Sequence, residues 1–287
     1  MLYQTSHVTR YRYQAPVSQC LSEARLAPRT LPGQVVKSSR LQVDPEPSVC
    51  EERLDYFGNR VTAFSVFRPH EELSVTSTCI VEVIAPLVRE LPTLSWEQAR
   101  AWMSGAPDEA SLEASEFLFD SPYASAAPAL AEYARPSLPP GRPLAEAVRD
   151  LTRRIHSEFK YKAKSTTIGT PLLEVLALRR GVCQDFAHIM IGALRSWHLA
   201  ARYVSGYLRS GQGAEASHAW VSVFLPGYGW LDLDPTNDVI PSDGHVTIAW
   251  GRDYGDVTPV RGISLGGGGQ LIDVEVRVKP VASVPPC

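Results

Sequence analysis

The order of residue patterns along the chain is the feature that most constrains its fold. Up to about residue 88, short segments such as NRVTAFSVF and ELSVTSTCIVEVIA are rich in strand-forming residues, and turn residues separate them. From about residue 92 the pattern becomes helical, as in LAEAVRDLTRRIHSEFKY, where apolar residues recur every three or four positions. Strands then return as ARYVSGYL, SHAWVSVFL and LIDVEVRVKP. This order predicts an α+β fold with two units.

The two units are predicted to be residues 1–90 and residues 91–287. Several short alternating strands joined by turns are typical of an antiparallel β-sandwich, which we expect for the first unit. The glycine run LGGGGQ at 265–270 lacks the Lys-Ser/Thr end of a phosphate-binding loop and does not open a helix. We therefore expect a turn there and no nucleotide site.

Composition and charge argue against several classes of partner. The net charge is −3 and no basic stripe stands out, so a nucleic-acid partner is not expected. No apolar run reaches the roughly 20 residues that a membrane helix needs, so we expect no membrane partner. The N-terminal segment lacks the apolar middle of a secretory signal, which favours a cytoplasmic location.

The cysteines are widely spaced and form no C-x-x-C pair, which argues against a zinc site and against a dense disulfide framework. In a reducing compartment we expect mostly free thiols, and the three in the N-terminal region are expected to pack as small apolar residues. The five residues are Cys20, Cys50, Cys79, Cys183 and Cys287.

Cys183 occupies a special position in the stretch GVCQDFAHIMIGALRSW, where it falls in the first turn of a predicted amphipathic helix. The unpaired N–H groups of a first turn favour an anion, can lower the pKa of a thiol and can bind the oxyanion of acyl transfer. Asp185, in the same turn, is expected to complement the helix dipole. A lone cysteine on an apolar helix face is also common as a buried structural thiol, so position alone does not assign a role. The apolar stripe comprises Phe186, Met190, Ala193, Leu194 and Trp197.

His218 is the histidine best placed to serve as a base, because it opens a strand directly after the polar loop RSGQGAEAS. The next strand, GWLDLDPTND, places Asp232 and Asp234 on one face, and either carboxylate could fix the tautomer of a histidine. A symmetric hairpin would pair Asp234 with Val221, so a bulge or an asymmetric turn would be needed to bring it to His218. Periodicity does not choose between the two aspartates.

The segments RRGVCQDFAHIM, ARYVSGYL and SHAWVSVFLPGYGWLDLDPTND together resemble the core of the bacterial transglutaminase-like proteins, in the papain-like cysteine enzyme superfamily. The resemblance covers about residues 150–260, and AWGRDYGDVTPVRG at 249–262 is similar to a family segment. It implies an N-terminal β-sandwich followed by a papain-like core of helices packed on an antiparallel sheet. It also implies a catalytic triad of Cys183, His218 and Asp234, and it is the resemblance that selects Asp234 over Asp232.

The implied chemistry is acyl transfer from a peptide or amide substrate through a thioester on Cys183, without a cofactor or a metal ion. Hydrolysis, as in a cysteine protease or amidase, is expected ahead of transfer to an amine, as in a protein-glutamine transglutaminase. Two alternatives stay open: a binding module that keeps the fold without turnover, and a metal site formed by His218, Asp232 and Asp234.

Residues around the proposed triad have both plain and functional interpretations. Trp220 and Trp230 are expected to pack in the core, although a hydrophobic wall over the thioester is an alternative. Gln184 could assist the oxyanion. The polar stretch 252–256 is expected to be a solvated loop, with contact to a substrate as the alternative.

Overall fold

The computed structural model describes residues 1–84, 90–105, 108–209 and 216–283. Its first part is an antiparallel sheet in the order β2-β5-β1-β4-β3, in which the long strand β1 is shared by both halves. The N-terminal part of β1 pairs with β5, and Cys20–Ala24 pairs with β4. The strands are β1 (Leu2–Ala24), β2 (Gln34–Asp44), β3 (Val49–Leu54), β4 (Arg60–Val66) and β5 (His70–Val83).

The two halves of this sheet enclose a small core. Val17 of β1, Phe64 of β4 and Val75 of β5 pack in one buried cluster, because alternate residues of each strand point to the same side. The expected antiparallel N-terminal architecture is thus confirmed.

Helices fill the middle of the chain, as the period of apolar residues predicts. In α4, Leu144, Val148, Leu151 and Ile155 are all buried, which confirms the predicted apolar face. The helices are α1 (Trp96–Gly105), α2 (Glu109–Ser115), α3 (Pro128–Ala134), α4 (Leu144–Glu158), α5 (Leu172–Leu178) and α6 (Cys183–Arg195).

A second antiparallel sheet, in the order β10-β9-β8-β11, packs against α6. A short parallel pair, β6 (Lys160–Tyr161) with β7 (Arg180–Gly181), precedes α6. Helices packed on an antiparallel sheet are the architecture expected for the second unit, and the α+β class is confirmed. The sheet consists of β8 (Ala201–Leu208), β9 (Ala216–Leu225), β10 (Gly229–Leu233) and β11 (His245–Gly251).

The last two strands return to the first sheet. Strand β12 (Val260–Gly266) and strand β13 (Gln270–Pro280) both pair with β1, and the predicted glycine turn connects them. The predicted boundary places both strands in the second unit, and their pairing with β1 was not expected, because an alternating pattern does not specify which sheet a strand joins. The division into residues 1–90 and 91–287 stays a prediction.

Helix α6 differs from the predicted amphipathic helix, because every residue from 185 to 195 is buried. Strands β8 and β9 cover one side of it, and α3, α4 and α5 pack around the others. The polar member Arg195 is accommodated because its guanidinium donates hydrogen bonds to the backbone carbonyls of Phe117, Ala124 and Arg252. The buried part of α6 begins at Asp185, so the helix is anchored from its first turn onward, with Cys183 at the partly buried end.

The described cysteines are free thiols, but one of them is not packed as expected. Cys20, Cys79 and Cys183 are free thiols, as is Cys50, but Cys50 is exposed because the whole of β3 is exposed, so its expected packing as an apolar residue is wrong. Cys287 lies outside the described residues.

In the described part of the chain, no helix is both long and apolar enough to cross a membrane.

Candidate active site

Cys183 is the first residue of α6, as predicted, and it is partly buried. Asp185 caps this helix: its Oδ2 accepts hydrogen bonds from the N–H of Val182 at 2.8 Å and from the Thr166 hydroxyl at 2.7 Å. A Cβ on Gly181 would lie 2.5 Å from that oxygen, so the glycine of GVCQDF leaves room for the cap. The first turn of the helix is thereby fixed, and its remaining N–H groups have no helical carbonyl as partner.

A cavity of 420 Å³ borders the first two turns of α6. Gln184 and His188 line it from the helix, Thr170 lines it from the segment before α5, and Leu172 lines it from the start of α5. The cavity provides space for part of a ligand next to the residue that follows Cys183.

His218 lies in β9 and makes a direct hydrogen bond between its Nε2 and Oδ2 of Asp234, at 2.7 Å. The ladder between β9 and β10 pairs Val221 with Leu233, so Asp234 follows one position beyond the last pair, in line with Trp220. His218 lies two residues from Trp220, on the same face of β9. The side chains of His218 and Asp234 therefore meet as diagonal neighbours across the hairpin.

This geometry corrects the predicted register. The turn between the strands consists of residues 226–228, one residue shorter than the symmetric hairpin assumed, so the pairing of Asp234 with Val221 is wrong by one position. A bulge or an asymmetric turn was expected to change the register; the ladder is continuous and contains no bulge, and the shorter turn makes the change. His218 and Asp234 therefore meet by a diagonal contact across the hairpin and not as directly paired residues.

Asp234 is fully buried and receives five hydrogen bonds. Oδ1 accepts from the backbone N–H groups of Thr236 and Asn237, at 2.9 and 3.2 Å. Oδ2 accepts from His218, from Asn237 Nδ2 at 2.7 Å and from His245 Nε2 at 3.3 Å. Burial alone would raise the pKa of this carboxyl group, but its hydrogen bonds with His218, His245 and Asn237 hold the pKa well below its ordinary value. Asp234 is therefore a fixed negative charge.

The His218 imidazole is stabilised in its protonated form. Burial lowers its pKa, whereas the hydrogen bonds with Asp234 and with Cys183 raise it, and the result is a pKa of about 10. The Cys183 thiol is therefore a neighbour of this ring, and it acts on the same imidazole as Asp234 does. Because Nε2 is engaged by Asp234, Nδ1 is the nitrogen left to face the sulfur. The three predicted residues are brought together in the order Cys183, His218, Asp234.

The raised pKa of His218 predicts a dependence of stability on pH. A group that binds its proton more tightly in the folded state stabilises that state fully below its ordinary pKa of 6.5, and this contribution is lost as the pH rises through about 10. Between these two pH values, the free energy of unfolding measured with urea should fall in the wild type by on the order of a few kcal/mol more than it falls in His218→Gln. Equal losses in both proteins would contradict the assignment.

His245 and Asn237 are site residues that sequence reasoning missed. Asn237 follows the proposed acid in DPTND, where an Asx-type turn was a readable signal. His245 begins β11, at the opposite edge of the sheet from β10, and nothing in the sequence indicates that a residue there returns to Asp234.

The metal alternative requires a different donor set from the one predicted. Among the described residues, the ligand atoms of His218, Asp234 and His245 lie within 4.8 Å of one another, whereas Asp232 is not part of this group. Asp232 instead lies near the guanidinium of Arg202: burial lowers the pKa of Arg202 to about 9, and the charge of Asp232 opposes this shift. The nitrogen and oxygen closest to each other in the cluster, His218 Nε2 and Asp234 Oδ2, already share a hydrogen bond at 2.7 Å.

The polar stretch 252–256 is tied to the protein and is not the solvated loop that we expected. Asp253 is buried and accepts hydrogen bonds from the N–H groups of Tyr123 and Gly255. The N–H of Tyr254 donates to His188 Nε2 at 3.2 Å, which links the stretch to α6. Trp220 is fully buried, as expected, with its ring against those of His218 and His245.

Comparison with known families divides the chain into two matched parts. Residues 3–82 match the bacterial transglutaminase-like N-terminal region, and residues 131–235 match the transglutaminase-like superfamily. The second part contains Cys183, His218 and Asp234, whereas His245 lies beyond it.

Individual relatives match over different lengths. An uncharacterized protein of Mycobacterium tuberculosis is 41% identical over 295 residues, which cover 97% of this chain and 92% of the relative. A protein-glutamine gamma-glutamyltransferase of Pseudomonas aeruginosa is 33% identical over 106 residues, which cover 32% of this chain and 15% of that enzyme.

One solved structure shares the fold over nearly the whole length. A protein from Cytophaga hutchinsonii, described as a candidate cysteine protease, superposes with a TM-score of 0.77 over 99% of this chain and 93% of that one, at 22% identity. At this level of identity the likeness concerns the fold, from the N-terminal sheet to the core.

Proposed function

Because the chain belongs to the transglutaminase-like superfamily, we propose that it is a cysteine enzyme that cleaves amide bonds through a thioester on Cys183. The observation that carries the proposal is the 2.7 Å hydrogen bond between the His218 imidazole and the buried carboxylate of Asp234, with the Cys183 thiol near enough to the same ring to raise its pKa. Nucleophilic catalysis requires a nucleophile beside a base, with the base oriented by an acid, and the proposed triad has this spatial order.

The first half of the reaction forms the thioester. His218 takes the proton of Cys183, and the charge of Asp234 stabilises the imidazolium that results. The thiolate attacks the carbonyl carbon of an amide, and N–H groups in the first turn of α6 stabilise the oxyanion. When the C–N bond breaks, His218 returns its proton to the leaving amine, and the acyl group remains on the sulfur.

The second half releases the acyl group. With water as acceptor, His218 takes one proton as the oxygen attacks the thioester, the C–S bond breaks, and a carboxylic acid leaves. With a primary amine as acceptor, the same steps produce a new amide. Our proposal favours water, as in a protease or amidase. The partial match to a protein-glutamine gamma-glutamyltransferase favours the amine and makes crosslinking the second candidate.

One experiment separates the two outcomes. The protein is incubated with a panel of peptide amides in the presence of a primary amine, and the products are identified by mass spectrometry, with Cys183→Ala as the control. We expect a free acid as the main product with the wild type and no product with the variant. Amine incorporation as the main product would establish crosslinking instead, and a product formed equally by the variant would exclude a thioester mechanism.

A further inference from the structure

The carboxylate of Asp234 accepts more hydrogen bonds than a catalytic triad needs, and one of the donors is a second histidine. His245 is buried, and its Nε2 lies 3.3 Å from Oδ2, the same oxygen that binds His218. The proposed mechanism assigns no task to this imidazole. We infer that His245 is a positioning residue: its Nε2–H holds the carboxylate of Asp234 in the orientation in which it supports His218. The inference rests on the proposed function.

The turn before β11 fixes the tautomer that this task requires. The backbone N–H of Ser242 points at His245 Nδ1 at 3.5 Å, and the N–H of His245 donates to the carbonyl of Ser242 at 3.1 Å. A ring nitrogen that accepts a hydrogen bond carries no proton, so in the neutral ring Nε2 carries the proton. An ionised carboxylate only accepts, and Nε2–H is therefore the donor to Asp234.

The donors around Asp234 thus divide into two kinds. Asn237, Thr236 and His245 contribute N–H groups that hold the carboxylate in place, and His218 is the donor that takes the proton of Cys183. A carboxylate held in this orientation attracts the His218 imidazolium, which favours the thiolate on Cys183.

Packing around His245 keeps its ring in this orientation. The ring stands edge-on to Trp220, with ring centres 5.3 Å apart and an angle of 82° between the planes. His218 on β9 and Asp234 after β10 lie beside the ring, and Tyr228 and Asp232 line the same cavity of 520 Å³ as His245. All of them are retained in the variants that test the inference.

The test compares His245→Phe, which keeps a flat ring but no donor, with His245→Gln, whose amide nitrogen can take the place of Nε2. The readout is the rate at which iodoacetamide alkylates Cys183, followed by mass spectrometry from acid to neutral pH without any substrate. Exposed Cys50 in the same molecules serves as the internal reference. We expect the Phe variant to be about tenfold slower on the acid side, with its profile moved to higher pH, and the Gln variant to remain within about twofold of the wild type.

The outcomes distinguish this inference from the proposed function. If Cys183 of the wild type reacts no faster than Cys50 at acid pH, the ion pair of the proposed mechanism fails. If the wild type reacts fast and the Phe variant matches it, or the Gln variant is as slow as the Phe variant, the positioning role is overturned. Should the Phe variant not fold, His245→Asn replaces it, because its shorter amide cannot reach the position of Nε2.

Discussion

Replacing Cys183 by alanine is expected to lower kcat/KM for amide cleavage by about 10⁴-fold or more while the protein remains folded. The thiol is the group on which the acyl intermediate forms, and the other residues of the first turn of α6, Gln184, Asp185 and Phe186, carry neither a thiol nor a hydroxyl group. Its side chain is partly buried at the start of a helix whose later turns are fully enclosed. Replacing Cys183 by alanine therefore removes the nucleophilic sulfur but few buried contacts.

Cys50→Ala provides the matched control. Cys50 is a free thiol on the exposed strand β3, so its removal should leave both activity and thermal stability unchanged. Both variants are compared by kcat/KM on the best substrate of the peptide panel and by melting temperature. Activity retained by Cys183→Ala, or lost equally in both variants, would place the nucleophile elsewhere.

Sequence patterns predicted the part of the site that depends on local structure. The position of Cys183 follows from the start of a helix, which apolar spacing indicates; the cap that Asp185 forms there was expected only as a charge that complements the helix dipole. The strand that carries His218 follows from alternation. The choice of Asp234 came from resemblance, because alternation places Asp232 on the same face of the strand and distinguishes neither residue.

The features that sequence patterns did not predict depend on distant parts of the chain. A turn shorter by one residue moved the register of the hairpin, and no local signal fixes that length. Burial of α6 on all sides depends on helices that precede it, so its own pattern could not predict it. His245 reaches Asp234 from the far edge of the sheet, and β12 and β13 pair with the first strand of the chain.

Replacing Asp234 by asparagine is expected to lower kcat/KM by about 10²- to 10⁴-fold, and the hydrogen bonds explain why. Oδ1 faces two backbone N–H groups, so the amide oxygen of the new side chain is held on that side. The amide nitrogen then occupies the place of Oδ2, where His218, His245 and Asn237 all present donors. His218 can accept a bond from this nitrogen only if its own proton moves to Nδ1, the nitrogen that faces Cys183. An Nδ1 that carries a proton cannot take another from the thiol.

The matched control for this variant is Asp232→Asn, which changes the neighbouring carboxylate on the same strand. Asp232 lies near Arg202 and outside the cluster around His218, so its replacement should change kcat/KM by no more than about twofold. Alkylation of Cys183 is the second readout: Asp234→Asn should slow the reaction at acid and neutral pH, whereas Asp232→Asn should react as the wild type does. If Asp232→Asn caused the larger loss in both measurements, the orienting acid would be Asp232, and the hydrogen bond between His218 and Asp234 would have only a structural role.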